Sequence, residues 1–158
     1  MEQLERTGQS AIAAIKPQHP VFFDPTDLPW LPWVMVGTHF KLLNVDKKSG
    51  GFSMLLKVDA GIQAPVHGHL GAVEAFLIEG EFGYEDDRGG VGSYVYEPAG
   101  ARHEPTSPGG VIMFAVAHGP LVGYNDDGSL AAIVDGRLMH DLAVAGGAAG
   151  HLRVVFDD

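Results

Sequence analysis

The sequence predicts an all-β fold, arranged as an antiparallel barrel or jelly roll. Short runs rich in Val, Phe, Tyr and Ile recur along the 158-residue chain, and clusters of Asx and glycine residues separate most of them. The chain contains 22 glycines and 10 prolines, which indicates many turns. Its length is sufficient for one domain with a single core.

Seven runs have the composition and length of strands. Residues 47–51 and 85–90 are examples of the turn sequences between them, so hairpin-like connections are expected. A short helix is predicted at 137–145, where the pattern ends on two glycines. The predicted strands are 34–44, 52–58, 73–79, 93–97, 111–117, 131–135 and 152–156.

Residues 1–33 are predicted to form an N-terminal arm and a strap rich in proline and tryptophan, and residues 34–158 to form a single barrel domain. Proline fixes its own φ and cannot donate to a sheet ladder. Because the strap contains several prolines together with Trp30 and Trp33, we expect it to be extended and to lay aromatic rings over the barrel.

The composition excludes several classes of function. Twenty acidic against ten basic residues give a net charge of −10, which repels nucleic acids and anionic membranes. The chain has no cysteine, so any bound metal needs nitrogen or oxygen ligands. The first residues lack an apolar leader, and the longest apolar run, 111–117, is too short to cross a bilayer. A cytoplasmic protein is therefore predicted.

A pair of histidines precedes the run at 73–79. Side chains at i and i+2 of a strand share a face, so His67 and His69 should point the same way. Two imidazoles on one face can begin a metal site, but the same spacing also suits ordinary loop histidines. A third ligand is needed to decide, and His103 is the candidate.

The spacing around these histidines resembles the two signature motifs of the cupin superfamily, G(x)5HxH(x)3–4E(x)6G and G(x)5PxG(x)2H(x)3N. Gly61 precedes His67 by five intervening residues, and Gly92 precedes Pro98 by five, with Gly100 and His103 following in order. The resemblance implies a double-stranded β-helix, or jelly-roll barrel, with a metal at its mouth. Carried over by position, it implies His67, His69 and His103 as the ligands.

The sequence departs from the cupin motifs at two positions. Ser107 stands where asparagine is usual. Glu74 fits the spacing counted from His69, but counting back from Gly80 places the usual ligand position at Val73. Because strand side chains alternate, this offset of one residue should turn Glu74 away from the metal unless a bulge restores it. A site of three histidines is favoured.

A narrower resemblance covers about residues 24–118, including DLPWLPW at 27–33 and YVYEPAGARH at 94–103. These segments are similar to the cupins that include 2,4′-dihydroxyacetophenone dioxygenase and acetylacetone-cleaving dioxygenase. The resemblance implies Fe(II) as the cofactor, with Zn, Ni or another divalent metal possible in purified protein. It also implies O2 and a small β-diketone or aryl hydroxyketone as the substrates, cleavage of a C–C bond, and a homodimer or homotetramer.

Other residues are candidates for supporting roles. Ligand histidines usually need a hydrogen-bond acceptor that fixes their tautomer. Glu74, Glu97 and Glu104 are nearby in sequence; Glu74 is preferred, and a solvated position at the rim is expected for the other two. Tyr96 is a candidate to reach a substrate oxygen with its hydroxyl. The histidines at 19, 39, 118, 140 and 151 lack ligand spacing.

Two other functions stay open. One is a metal-binding sensor or regulatory module, because a related cupin lineage forms the zinc domain of anti-sigma factors. That lineage usually adds a helical partner-binding domain, for which the predicted arm is short. The other is a sugar-phosphate isomerase or epimerase. It would need cationic side chains to hold the phosphate, and the chain has only ten bases.

Overall fold

The computed structural model describes residues 22–154 and 156; most of the predicted N-terminal arm lies outside these residues. The described residues form fourteen strands, one α-helix and one 3-10 helix, Pro25–Asp27. The helix, α1, is Gly136–Ala145. The strands are β1 Leu31–Pro32, β2 Thr38–Val45, β3 Phe52–Val58, β4 Ile62–Gln63, β5 His67–His69, β6 Val73–Gly80, β7 Phe82–Gly83, β8 Arg88–Gly89, β9 Tyr94–Glu97, β10 Arg102–His103, β11 Thr106–Ser107, β12 Val111–Ala117, β13 Leu121–Tyr124 and β14 Leu130–Val134.

The largest sheet has six strands in the order β1-β2-β3-β12-β6-β9, and every neighbouring pair in it is antiparallel. Its inner face supplies most of the core. Along β12, for example, Val111, Met113, Ala115 and Ala117 are buried, and the residues between them face outward. This alternation is expected of a strand with one face on the core.

Two four-stranded antiparallel sheets, β10-β5-β13-β14 and β4-β11-β7-β8, complete the architecture. Strands distant in sequence are neighbours in space in all three sheets, as β12 and β3 are. The all-β, jelly-roll prediction is confirmed. For the candidate site the important strands are β5, which lies between β10 and β13, and β6 and β9 of the large sheet.

Most predicted strands are found within one or two residues of their expected limits, and two differ. The strand expected at 34–44 begins at Thr38, because Gly37 with φ +74° closes a turn in which the Thr38 amide donates to Met35. The strand expected at 152–156 is not formed over 152–154. Leu152, Val154 and Phe156 pack on the core instead.

The proline-rich segment contributes to the sheet as well as covering it. Its residues Leu31–Pro32 form the edge strand β1, a position where the missing amide of proline is tolerated. The ring of Trp30 lies 4.9 Å from Nζ of Lys41, and the indole NH of Trp33 donates to the sulfur of Met139 at 3.1 Å. This segment therefore covers the β2 side of the large sheet.

The predicted helix is present at Gly136–Ala145. The carboxylate of Asp135 accepts a hydrogen bond from the Leu138 amide and caps its N-terminus. Met139 and Ala143, four residues apart, are fully buried against the core. No helix in the described part of the chain has the length and hydropathy needed to span a membrane.

Candidate metal centre

Two strands that are far apart in sequence bring three imidazoles together. His67 and His69 lie on β5 with Gly68 between them, and His103 on β10 lies directly opposite His67 in the antiparallel ladder. Directly opposed residues point to the same face of a sheet, as do residues i and i+2. All three histidines therefore share one face.

Gly68 allows close packing on the reverse face of this ladder. A Cβ atom at position 68 would lie 2.9 Å from the hydroxyl oxygen of Tyr124, closer than real Cβ contacts allow. The ring of Tyr124 is in turn covered by the guanidinium of Arg102, 4.2 Å from its centroid. The glycine of the HxH motif thus lets a tyrosine pack against the strand that carries the ligands.

One nitrogen of each histidine lies within 4.8 Å of the corresponding atoms of the other two. The Nε2 atoms of His69 and His103 are 3.1 Å apart. Ring centroids are separated by 4.9 Å for His67 and His103 and by 5.3 Å for His67 and His69. No other group of three potential ligand residues of this kind is found among residues 22–154 and 156.

The tautomer of His67 is set by its backbone surroundings. Its Nδ1 lies 3.0 Å from the carbonyl oxygen of Pro65, so Nδ1 carries the proton that is donated to this acceptor. The lone pair is then on Nε2, which is the nitrogen available for a ligand bond. His69 is only 3% exposed, and its Nδ1 is buried without a hydrogen-bond partner.

Burial keeps the three imidazoles neutral. Desolvation, followed by the effects of His103 and His67, lowers the pKa of His69 to about 4. Desolvation, followed by the effect of His67, lowers the pKa of His103 to about 4. The pKa of His67 is also lowered by burial. At neutral pH each ring can therefore offer a lone pair, which a metal ligand requires.

The donor set fits a divalent cation. His69 and His103 direct nitrogens at each other across 3.1 Å, and two such lone pairs repel unless a proton or a cation lies between them. Three imidazole nitrogens suit zinc, iron, nickel and copper, and leave other coordination positions open. His67, His69 and His103 could together hold such an ion.

A buried carboxylate lies beside the cluster. Glu97, the last residue of β9, is 7% exposed, with Oε2 at 3.7 Å from Nδ1 of His69 and Oε1 at 3.6 Å from Nε2 of His103. The hydroxyl of Tyr84 donates to Oε1 of Glu97 and lies 3.2 Å from Nδ1 of His103. Burial raises the pKa of Glu97, and the hydrogen bond from Tyr84 opposes that rise.

Glu97 was predicted to lie at the solvated rim, and this prediction is wrong because the side chain is buried. The reason is strand parity: Val95 and Glu97 face inward on β9, and Tyr94 and Tyr96 face outward. An apolar residue two positions before Glu97 was the sequence signal for this arrangement. Tyr84 follows the two-residue strand β7, and no sequence signal placed it here. Glu104 is exposed as predicted, and its carboxylate accepts a hydrogen bond from the Gln63 amide.

The structure does not bring Glu74 or Tyr96 to the cluster. They are opposed to each other on β6 and β9, on the outer face of the large sheet. Glu74 accepts hydrogen bonds from the hydroxyl of Tyr94 at 2.5 Å and pairs with Nε2 of His118 at 2.6 Å. Tyr96 is 56% exposed. The expected placement of Glu74 beside the histidines is therefore corrected, and Glu97 lies there instead.

Strand β6 does contain a bulge, but the bulge lies beyond Leu77 and does not turn Glu74 inward. Ile112 of β12 opposes Glu79, and Met113 opposes Leu77, so Ile78 is the extra residue. His69, Val73 and Gly80 have the spacing of the motif, so Glu74 lies one position past the ligand position. Val73, the usual ligand position in the motif, faces inward with the histidines.

An apolar cavity adjoins the cluster. His67, His69 and Glu97 contribute to its wall, and no lysine or arginine belongs to the wall among the residues that the structure describes. The large sheet, the small strands and the proline-rich segment all contribute apolar side chains, including Trp33, Met54, Leu56, Val73, Phe82 and Met113. A small, largely apolar molecule could lie next to the imidazoles.

A family model described as the ChrR cupin-like domain matches residues 18–122, which include all three histidines. No match is found among curated proteins.

Solved structures show the same fold. An RmlC-like cupin protein from Ralstonia eutropha JMP134 is 27% identical, with a TM-score of 0.75 over 87% of this chain and 93% of its own. A protein from Methylibium petroleiphilum PM1, provisionally named an acetylacetone dioxygenase, is 26% identical, with a TM-score of 0.70 over 86% and 99%. The anti-sigma protein ChrR of Rhodobacter sphaeroides, solved with SigE, is 20% identical, with a TM-score of 0.50 over 73% and 77%.

Proposed function

The chain belongs to the ChrR cupin-like domain family, and from this premise we propose that it is an Fe(II)-dependent dioxygenase that cleaves a C–C bond of a small β-diketone or aryl hydroxyketone. The predicted relationship to the cupin superfamily is thereby confirmed. The observation that carries the proposal is the convergence of three neutral imidazoles, two of which, His67 and His69, line an apolar cavity.

His67, His69 and His103 would hold the metal through nitrogen atoms. Bound Fe(II) supplies the electron-transfer chemistry with O2, and in a dioxygenase both oxygen atoms enter the products. Neutral histidines add no negative charge to the site, so the full charge of the ion is available to attract an anionic substrate oxygen. Zinc or nickel could occupy the same ligands in purified protein.

Glu97 would accept a proton from the substrate, and Tyr84 would hold the Glu97 carboxylate in place. A hydrogen on carbon beside a carbonyl must leave for the enolate to form, and a base bordering the cavity is needed to accept it. Among the described residues on the cavity wall, Glu97 carries the acidic side chain. The hydroxyl of Tyr84 holds Oε1 of this carboxylate, which leaves Oε2 toward His69.

The cavity itself favours a small carbonyl compound over a sugar phosphate. A phosphate needs lysine, arginine or a set of backbone amides to balance its charge. The described wall residues include no lysine or arginine, and they do include the carboxylate of Glu97, which would repel a phosphate. Apolar walls also exclude water, which strengthens the electrostatic interactions made inside the site.

Oxygen consumption tests the proposal. Protein loaded anaerobically with Fe(II) should consume O2 when mixed with a suitable member of a panel of β-diketones and aryl hydroxyketones. His103→Ala should lose both bound iron and O2 consumption, and His39→Ala is the matched control, because His39 is distant from the cluster and pairs with Asp59. If iron binds and no member of the panel is oxidised, the dioxygenase proposal fails.

A metal-binding regulatory module is the second candidate. The family takes its name from ChrR, and a neighbouring structure contains the anti-sigma protein ChrR bound to SigE. A regulatory module needs the metal for structure and not for turnover. Zinc-loaded protein with raised thermal stability, together with iron-loaded protein inert toward O2, would favour this function over the dioxygenase.

A further inference from the structure

The outer face of the large sheet carries an exposed apolar patch. Phe76 is 48% exposed, Ile78 43% and Phe114 39%. The proline-rich segment reaches over β2 and β3, where the Trp30 ring lies 4.9 Å from Nζ of Lys41 and 5.9 Å from Nζ of Lys57, and the apolar side chains on β12 and β6 stay exposed. We call these residues the apolar outer face: Leu55, Phe76, Ile78, Ile112, Phe114 and Val116.

Contiguous apolar surfaces of this kind on a soluble protein commonly mark an interaction site. The register makes the patch continuous, because Phe114 at its centre is opposed to Leu55 on β3 and to Phe76 on β6. Tyr94 opposes Phe76 and extends the same row to β9. Aromatic side chains with a polar rim are typical of protein interfaces.

We propose that the apolar outer face binds a second copy of this chain, across a two-fold axis that runs along β12 between the two sheets. Such an axis places β12 of one copy over β12 of the other, and β3 of each copy over β6 of the other. Leu55 of one copy then faces Phe76 of the second copy, and Phe114 faces Phe114. An isologous contact requires this kind of self-complementary surface.

The charges at one end of the patch fit this arrangement. Ile112 is opposed to Lys57 on β3 and to Glu79 on β6, so the cation and the anion flank β12 in the same row. The proposed axis places Lys57 of each copy opposite Glu79 of the other. Two symmetric ion pairs result, and this symmetry favours a second copy over an unrelated partner.

The natural twist of the sheets does not break these pairs. Facing sheets cross at about 30°, and Ile112 is two residues from Phe114, or about 7 Å along the strand. The crossing therefore displaces each pair sideways by roughly 3–4 Å. A lysine side chain is flexible enough to span that displacement.

At the other end of the patch the same axis sets Glu74 of one copy opposite Ser53 of the second, because Val116 is opposed to both. The carboxylate of Glu74 is already held by His118 and Tyr94. A hydroxyl is therefore the group it would meet, and no like charges face each other in this row.

Sedimentation velocity of the 158-residue protein, from low micromolar to near-millimolar concentration, tests the interface. Wild type should be dimeric. Phe114→Lys places a cation opposite its own symmetry mate and should give monomers with unchanged secondary structure. Ile133→Lys is the control for adding a lysine at an exposed apolar position, because Ile133 lies on β14 of another sheet and is 48% exposed.

A charge exchange tests the axis itself. Lys57→Glu and Glu79→Lys should each weaken dimerisation about tenfold or more, because each creates two like-charge contacts. The double variant should regain most of the wild-type affinity. A monomeric wild type, a dimer that Phe114→Lys leaves intact, or a double variant no better than the single ones would overturn the proposal.

Discussion

Nδ1 of His69 lies 3.7 Å from Oε2 of Glu97, and both groups are almost completely buried. His69 directs its other nitrogen at Nε2 of His103, and Oε1 of Glu97 lies 3.6 Å from that same Nε2. A negative charge this close to two ligand imidazoles stabilises a bound cation through its electrostatic field. This relationship joins β9 of the large sheet to β5 of the small one.

Glu97→Gln should therefore weaken divalent metal binding by about 10- to 100-fold, because it removes the buried negative charge beside His69 and His103. Isothermal titration with Zn(II) or anaerobic Fe(II) measures this. Glu104→Gln is the control, since Glu104 is exposed and bonded to Gln63. Equal affinity in the two variants would show that Glu97 does not support the ligands.

Glu74→Gln should leave the metal affinity unchanged. Its carboxylate lies on the outer face of β6 and is held by Tyr94 and His118, whose hydrogen bonds lower the pKa of Glu74. Metal content after dialysis against a defined Zn(II) concentration is the measurement. Loss of bound metal in this variant would mean that the strand turns Glu74 inward when the ion is present.

Val73→Glu should add a ligand. Val73 faces the cavity at the position where the related motif carries glutamate, so a carboxylate there would approach the ion. Metal should bind more tightly, and the metal-free variant should lose more than about 1 kcal/mol of stability, because the new charge is buried without a partner. Thermal unfolding with and without Zn(II) separates the two effects. A variant equally destabilised in both states would place residue 73 out of reach of the ion.

The metal-free protein should lose stability as the pH falls from 6.5 to 4. The pKa values of His69 and His103 are lowered to about 4 in the folded protein, so the unfolded chain binds more protons throughout this range. Each histidine then contributes a slope of about 1.4 kcal/mol per pH unit, with stability rising toward neutral pH. Denaturant unfolding in the presence of a chelator gives this slope.

The lowered pKa values of His69 and His103 can also be tested for each residue separately. In metal-free protein, the imidazole carbon-bound proton signals of His69 and His103 should not titrate between pH 7 and 5.5. Nuclear magnetic resonance at several pH values measures this directly. Titration of either signal with a midpoint near 6.5 would show that the ring is solvated and charged in the native state.

The sequence by itself determined the three candidate ligands. His67 and His69 share a face because side chains alternate along any strand, and the glycine and proline spacing around His103 matched a known motif. These regularities are local, because they depend on neighbouring residues and not on contacts with distant parts of the chain. The same regularities placed most of the strands and the helix, because turn residues and apolar alternation are also local.

The tertiary structure decided which carboxylate accompanies the histidines. Glu74 and Glu97 lie on neighbouring strands of the large sheet, where the alternation along β6 leaves Glu74 outside and the pairing of Val73 with Glu97 puts Glu97 inside. Tyr84 reaches the same place from a two-residue strand that carried no signal. Depth of burial depends on which face of a sheet meets the core, and that choice is made by contacts between strands distant in the sequence.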